Sequence, residues 1–367
     1  MSPLASHNET QRRRRAVQHT EKVPWLRMTN DFIFNEYKAR QFWERREYGH
    51  ALAFAERAAT AASEKGDDAG WWRMRFLFGE CQRELGLIDD CAATAENLAS
   101  HPLAGSDAVL KGKARALQSL ALQGLGQLPE ALAVARAAVD SPFDPEHGAS
   151  AKLEAQQVLV AVLAESGNLE DAWREAEKLA TLIDEESGSE RAGKAYWSIG
   201  NAAFLVGKPT EATYYHGLAS AALSRINDVS LWALFNKASA FMRLTANLVE
   251  PETLQCIERA EMAISITGGT KQDEIELGIT RAYWMYLTGE CSEARAHMAV
   301  LMQEAELMAP HIEGEARLLY ARILRDEGQP EEAAKYAAES ARLFENAGAS
   351  ARAEQSRGFL EDAREVS

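Results

Sequence analysis

The chain has 367 residues, 46% of them hydrophobic, with 10 Pro, 4 Cys and a formal charge of −15. This apolar content excludes a wholly disordered chain. The longest apolar run, 158–164, is far short of the roughly 20 residues of a membrane-spanning helix. Residues 1–22 hold five basic and two acidic groups, so the rest of the chain is more acidic still and would repel phosphates. Neither a membrane nor nucleic acid is an expected partner.

From the N-terminus, residues 1–22 read as a disordered basic tail. Arg12–Arg15 is followed by no apolar stretch and so is not a secretory signal. Abundant Ala, scarce Pro and few Val, Ile or Thr runs then favour helix over sheet. Helix pairs are expected at 28–46/48–64, 69–85/88–100, 107–125/129–140 and 149–166/169–184. They continue at 189–206/209–226, 228–246/251–267, 271–288/291–308 and 312–327/330–346. The joints between pairs carry helix breakers, such as His101-Pro102, Ser187-Gly188, Gly268-Gly269 and Ala309-Pro310. A charged segment, 347–367, fits the capping helix that a repeat array needs at its open end. The domain boundaries are therefore 1–22, 23–346 and 347–367.

Each pair is joined by the same pattern: Gly, three variable residues, an acid, then Ala. It appears as Gly126…Glu130-Ala131, Gly167…Asp171-Ala172, Gly207…Glu211-Ala212, Gly289…Glu293-Ala294 and Gly328…Glu332-Ala333. Weaker copies start at Gly86 and Arg46, and Asn247 fills the remaining place. Gly or Asn permits a left-handed helix end. Pro129, Pro209 and Pro330 suit the start of the next helix, and acids there meet the positive end of its dipole. Seven residues before each turn stand Ala39, Gly79, Ser119, Val160, Gly200, Ala240, Ala282 and Ala321, all but one of them small. That register lets antiparallel helices approach closely.

Small residues midway along the first helix, a Gly turn, an acid-Ala pair and further Ala at 58, 138 and 219 resemble the tetratricopeptide repeat. The resemblance covers about residues 30–346. It implies an all-α, right-handed α–α superhelix of about eight hairpins plus the capping helix. The units run near forty residues rather than the usual 34 or so. In this they are similar to the long repeats of bacterial peptide-pheromone receptors and related regulators. The resemblance implies a helix-turn-helix of the kind found in those receptors, but none is expected in the residues before the first hairpin.

The chemistry-bearing motifs are absent: no Gly-rich phosphate loop, no HExxH, no GxSxG and no zinc spacing. No catalytic residue, metal or cofactor is expected, and the chain reads as not an enzyme. Cys81, Cys91, Cys256 and Cys291 lie apart without CxxC spacing and read as reduced thiols of a cytoplasmic protein. His216 and His297 recur at matching repeat positions and read as packing residues. The aromatics cluster instead: twelve in 25–78 and eleven in 196–286, against only Phe143 and Trp173 between 79 and 195. Trp71 and Trp72 cannot both face one apolar stripe. Self-association through this N-terminal end, giving a homodimer, is one use for that surplus.

In the tetratricopeptide class, first helices line the concave groove. On those helices in units five to seven stand Lys194, Trp197, Asn201, Phe204, Asn236, Lys237, Phe241, Tyr283 and Tyr286. Spacings of three and four place the first four on one face. Asn amides can grip a peptide backbone and Lys a carboxylate. The expectation is a peptide- or protein-binding module, a regulator or scaffold holding an extended segment. Two alternatives stand beside it. One is a phosphatase-like or anti-activator role on a response regulator, for which Gln41 or Glu44 can be nominated. The other is nucleic-acid contact through the basic tail.

Overall fold

The computed structural model describes residues 24–365 apart from 145, 185–186 and 224–227; Arg12–Arg15 lie outside the described residues. Among them are eighteen α-helices, one 3-10 helix and no strand, so the fold is all-α. No described helix is long and apolar enough to cross a membrane. The chain divides into two compact units, 1–84 and 85–367.

The first unit contains α1 (Pro24–Glu44), α2 (Tyr48–Ser63) and α3 (Asp68–Glu84). α2 packs against both neighbours through Ala51, Ala55, Ala58 and Ala59, which meet Ala39, Met74, Leu77 and Cys81. The adjacent tryptophans take different places. Trp72 is buried and stacks on Phe76 with centroids 5.3 Å apart, while Trp71 is half-buried against the core.

The second unit contains α4 (Ile88–Ser100), α5 (Pro102–Ser106), α6 (Ala108–Gly124), α7 (Leu128–Val139), α8 (Ala149–Glu165) and α9 (Leu169–Leu182). It continues with α10 (Ser189–Leu205), α11 (Pro209–Ala222), α12 (Val229–Thr245), α13 (Pro251–Thr267) and α14 (Lys271–Leu287). It ends with α15 (Cys291–Leu301), a 3-10 turn (Met302–Leu307), α16 (Pro310–Asp326), α17 (Pro330–Asn346) and α18 (Ser350–Glu365). Two local differences from the sequence reading have backbone causes. Pro102 starts a helix of its own at the expected break, with the His101 ring accepting from the Leu103 N–H at 3.3 Å. The second helix of unit seven stops at Leu301, because Glu304 leaves helical geometry at φ −107°, ψ 18°.

The turns explain the repeat. Positions 46, 86, 126, 167, 207, 247, 289 and 328 all have positive φ, and Arg46 (62°) and Asn247 (56°) are the two non-glycine cases among the described residues. After the turns at 46, 126, 167, 207, 247, 289 and 328 the next N–H reaches a carbonyl five residues back, as in Gln127 to Leu122 at 2.9 Å and Leu248 to Arg243 at 2.9 Å. This closes the helix end without exposing its last carbonyls. The small-residue register lies inside: Ala39, Ser119, Val160, Ala240, Ala282 and Ala321 are fully buried. Ser119 spends its hydroxyl on the Ala131 carbonyl of the facing helix, 2.8 Å away.

First helices also pack on first helices: α6 on α8, α8 on α10, α10 on α12, α12 on α14 and α14 on α16. The second unit then returns on itself. Leu128, Phe344, Ala347, Ala349 and Ala353 form one buried apolar cluster, joining the turn of unit three to the end of unit eight. Beside it, Glu165 accepts from His311 Nε2 at 2.8 Å and from Gln123 Nε2 at 2.5 Å. Arg352 pairs with Glu315 across the start of α18.

Candidate functional site

The nine residues singled out from the sequence lie on α10, α12 and α14, which stack side by side and so share one wall. Their side chains fall into two layers.

Five remain at least partly exposed. Lys194 is about one-third exposed and pairs with Glu190 one turn earlier, Nζ to Oε1 2.7 Å. Trp197 lies edge-on to Phe235 with centroids 5.9 Å apart, and its covered indole N–H has no acceptor. Asn201 is half-buried. Phe241 meets Tyr283 edge-on at 6.3 Å, and the Tyr286 hydroxyl donates to Asp326 Oδ2 at 2.7 Å. Burial and the Asp326 carboxylate both push that phenol above its ordinary range.

Four lie behind them. Asn236 is only 1% exposed and donates its amide to the Trp232 carbonyl in its own helix at 2.7 Å, so it presents no surface to a bound chain. Lys237 is buried with its ammonium 2.8 Å from Asp273 and 2.7 Å from Glu276 on the neighbouring first helix. Burial alone would lower its pKa, but the two carboxylates outweigh that and raise it. Phe204 is buried against the ring of His216. Tyr283 is buried too, its hydroxyl accepting from Arg322 Nη1 at 3.1 Å. The charge that sequence reading assigned to a ligand carboxylate is thus already neutralised within the protein.

Behind this wall is a polar core. His216, on α11, donates from Nε2 to Asn201 Oδ1 at 3.0 Å and accepts at Nδ1 from the Ser239 hydroxyl at 2.9 Å. Cys256 Sγ lies 3.9 Å from that same hydroxyl. Burial and the nearby Arg243 guanidinium hold the imidazole down to about 3, so it is neutral. Its packing role agrees with its repeat position. The sequence carried no sign of its partners, which lie 15 and 23 residues away on other helices.

The remaining nominated groups stand elsewhere. Glu44 is exposed, and Gln41 accepts from Lys38 Nζ at 3.0 Å; both belong to the first unit. Of the cysteines, Cys81 is buried among acids, and burial with Glu80 and Glu84 pushes its thiol up to about 12. None of the four cysteines is joined in a disulfide.

No protein-family model matches the chain, and no curated protein matches it. Among solved structures it is similar to a tetratricopeptide repeat protein from Parabacteroides merdae ATCC 43184. That likeness has 14% identity and a TM-score of 0.42, over 91% of this chain and 99% of that one. It is also similar to yeast Tom70, at 12% identity and a TM-score of 0.28, over 91% of this chain and 95% of that one.

Proposed function

We propose that the chain is a peptide- or protein-binding helical-repeat module of the cytoplasm, a regulator or scaffold that holds an extended segment on the wall built by α10, α12 and α14. What supports this reading is the layering of that wall. Trp197, Phe241 and Tyr286 offer partly exposed aromatic surface beside the polar tips of Lys194 and Asn201. Large aromatics left at a surface are suited to filling with a partner's side chains. The buried layer of Phe204, Asn236, Lys237 and Tyr283 holds these contact residues in register and does not itself touch the ligand.

The test is a fluorescence-anisotropy screen of fluorescein-labelled twelve-residue peptides carrying apolar residues at alternate positions. The strongest binder is then titrated against Lys194→Glu and Tyr286→Ala. Each substitution is expected to weaken binding about tenfold or more, the loss of a hot-spot contact of about 1.4 kcal/mol or greater. Unchanged affinity in both removes the site.

A further inference from the structure

Two turns that meet the returning end, and one turn within that end, differ from left-handed glycine turns elsewhere. At Gly207, Gly289 and Gly328 an added Cβ would stand in open space. At Gly126 it would meet Pro310 and His311, at Gly167 it would stand 2.9 Å from Ala351 Cβ, and at Gly348 it would stand 2.4 Å from Pro129 Cγ. Gly126 and Gly167 carry the same local motif as Gly207, Gly289 and Gly328, so their difference comes from closure of the array. Residues 123–129 and 165–167 are tied to 310–315 and 344–353 across more than a hundred residues of intervening chain.

The tie has two parts. One is the apolar cluster of Leu128, Phe344, Ala347, Ala349 and Ala353. The other is a charged chain of Gln123, Glu165, His311, Arg352 and Glu315, in which Glu165 and Arg352 feel each other's charge. A buried ionic group whose partner is removed is left uncompensated, so such a chain holds or fails as a unit.

The curvature of a helical-repeat array is the sum of small rotations between neighbours. An array free at its end changes curvature cheaply; one whose end is tied back to its middle cannot. We propose that this seam is a latch that fixes the curvature of repeats three to eight, and that the wall of α10, α12 and α14, which lies along the closed loop, widens to seat a chain only when the latch releases. The second half rests on the proposed peptide-binding function; the first half does not. Ligand and latch then compete through the same equilibrium, so releasing one favours the other.

The experiment uses the full chain and Arg352→Glu, which sets a third carboxylate against Glu165 and Glu315, with Arg352→Glu/Glu315→Arg as the reversed pair. Ala351→Trp is a second variant, a wedge at an exposed seam position that leaves the charged chain intact. Circular dichroism establishes that each remains helical. Both opening variants are expected to raise the radius of gyration in small-angle X-ray scattering. They are also expected to speed amide exchange at 126–128, 165–168 and 348–353 about tenfold or more, and the reversed pair to recover part of the protection. Folded variants with unchanged scattering and exchange overturn the latch. In the anisotropy screen, the strongest peptide is expected to bind the opened variants about fivefold or more tighter. Equal affinity overturns the coupling. A screen in which no form binds any peptide defeats the binding reading and the coupling together, while the scattering result still decides the latch.

Discussion

The imidazole of His216 occupies the space where a side chain at position 200 would stand: a Cβ on Gly200 falls 2.1 Å from His216 Cδ2. Glycine within a helix ordinarily costs about 1 kcal/mol relative to Ala. Here the vacancy is filled by a neighbour on α11, so the usual gain from Gly→Ala is reversed. Gly200→Ala is expected to destabilise by about 1–3 kcal/mol, the range for overpacking a filled core. Removing the imidazole should make the extra methyl tolerable. The double variant Gly200→Ala/His216→Ala is therefore expected to cost less than the sum of the singles by about 1 kcal/mol or more, measured by urea unfolding. Strict additivity would mean that the two side chains do not compete for one space.

The same histidine sets a pH dependence. Burial, then Arg243, holds its native pKa at about 3, against 6.5 when exposed. The unfolded chain therefore takes up a proton below 6.5 that the native state refuses. Its contribution is intact above 6.5 and is lost as pH falls, at up to about 1.4 kcal/mol per pH unit. Glu165 acts in a different window. Burial would raise its carboxyl, but His311, Gln123 and Arg352 together hold it at about 2, against 4.5 when exposed. Its contribution persists until the pH falls below about 4.5 and is lost between there and 2. His216→Gln is expected to flatten the slope of unfolding free energy between pH 6 and 5 and leave the loss below 4.5 in place. An unchanged slope between pH 6 and 5 would contradict the neutral buried imidazole.

What the sequence revealed follows from which constraints are local. A left-handed turn demands Gly or Asn at one position, so the turns at 126, 167, 207, 247, 289 and 328 could be read directly. Close helix approach demands small residues seven places earlier, which exposed the register through Ala240, Ala282 and Ala321. Arg46 was legible only through its spacing, since its φ of 62° is unusual for its type. The candidate wall was harder. Spacings of three and four define a face but not what lies against it, and first helices here are covered from several sides. So Lys194 and Trp197 stay near the surface while Phe204 and Asn236 turn inward. The seam left no mark at all. Gly126 and Gly207 open the same kind of turn with the same acid-Ala pair behind them, and an added Cβ would meet another repeat only at Gly126.

Lys237 tests the assignment of the inner layer as support. Its ammonium neutralises Asp273 and Glu276, and Asp273 also closes the capping box at the start of α14 with Thr270. Lys237→Met keeps the apolar stem but leaves two partly buried carboxylates facing each other. Because Asp273 and Glu276 keep some solvent, the expected cost is the low end for a broken buried pair, about 3 kcal/mol. Lys237→Met/Asp273→Asn/Glu276→Gln removes the charges together and is expected to recover most of it. Thermal unfolding of the three proteins reads this. If the single variant is as stable as the parent, the lysine is free for another partner.

The turn glycines permit a direct measurement of the seam. Gly207 and Gly167 have nearly the same backbone, with φ of 73° and 77°, and sit in equivalent turns. Ala at either must adopt left-handed geometry, which costs about 1–2 kcal/mol. At Gly207 the added methyl meets nothing, so that backbone term is the whole expected effect. At Gly167 the methyl would also stand 2.9 Å from Ala351 Cβ, in a gap that closes only when α18 lies against the turn. Gly167→Ala is therefore expected to destabilise more than Gly207→Ala, by about 1 kcal/mol for the added crowding. Ala351→Gly in the Gly167→Ala background should return the difference, because it removes the opposing methyl and leaves the turn unchanged. Equal losses at the two turns, with no rescue at 351, would mean that the C-terminal helix does not rest against the turn of unit four in solution.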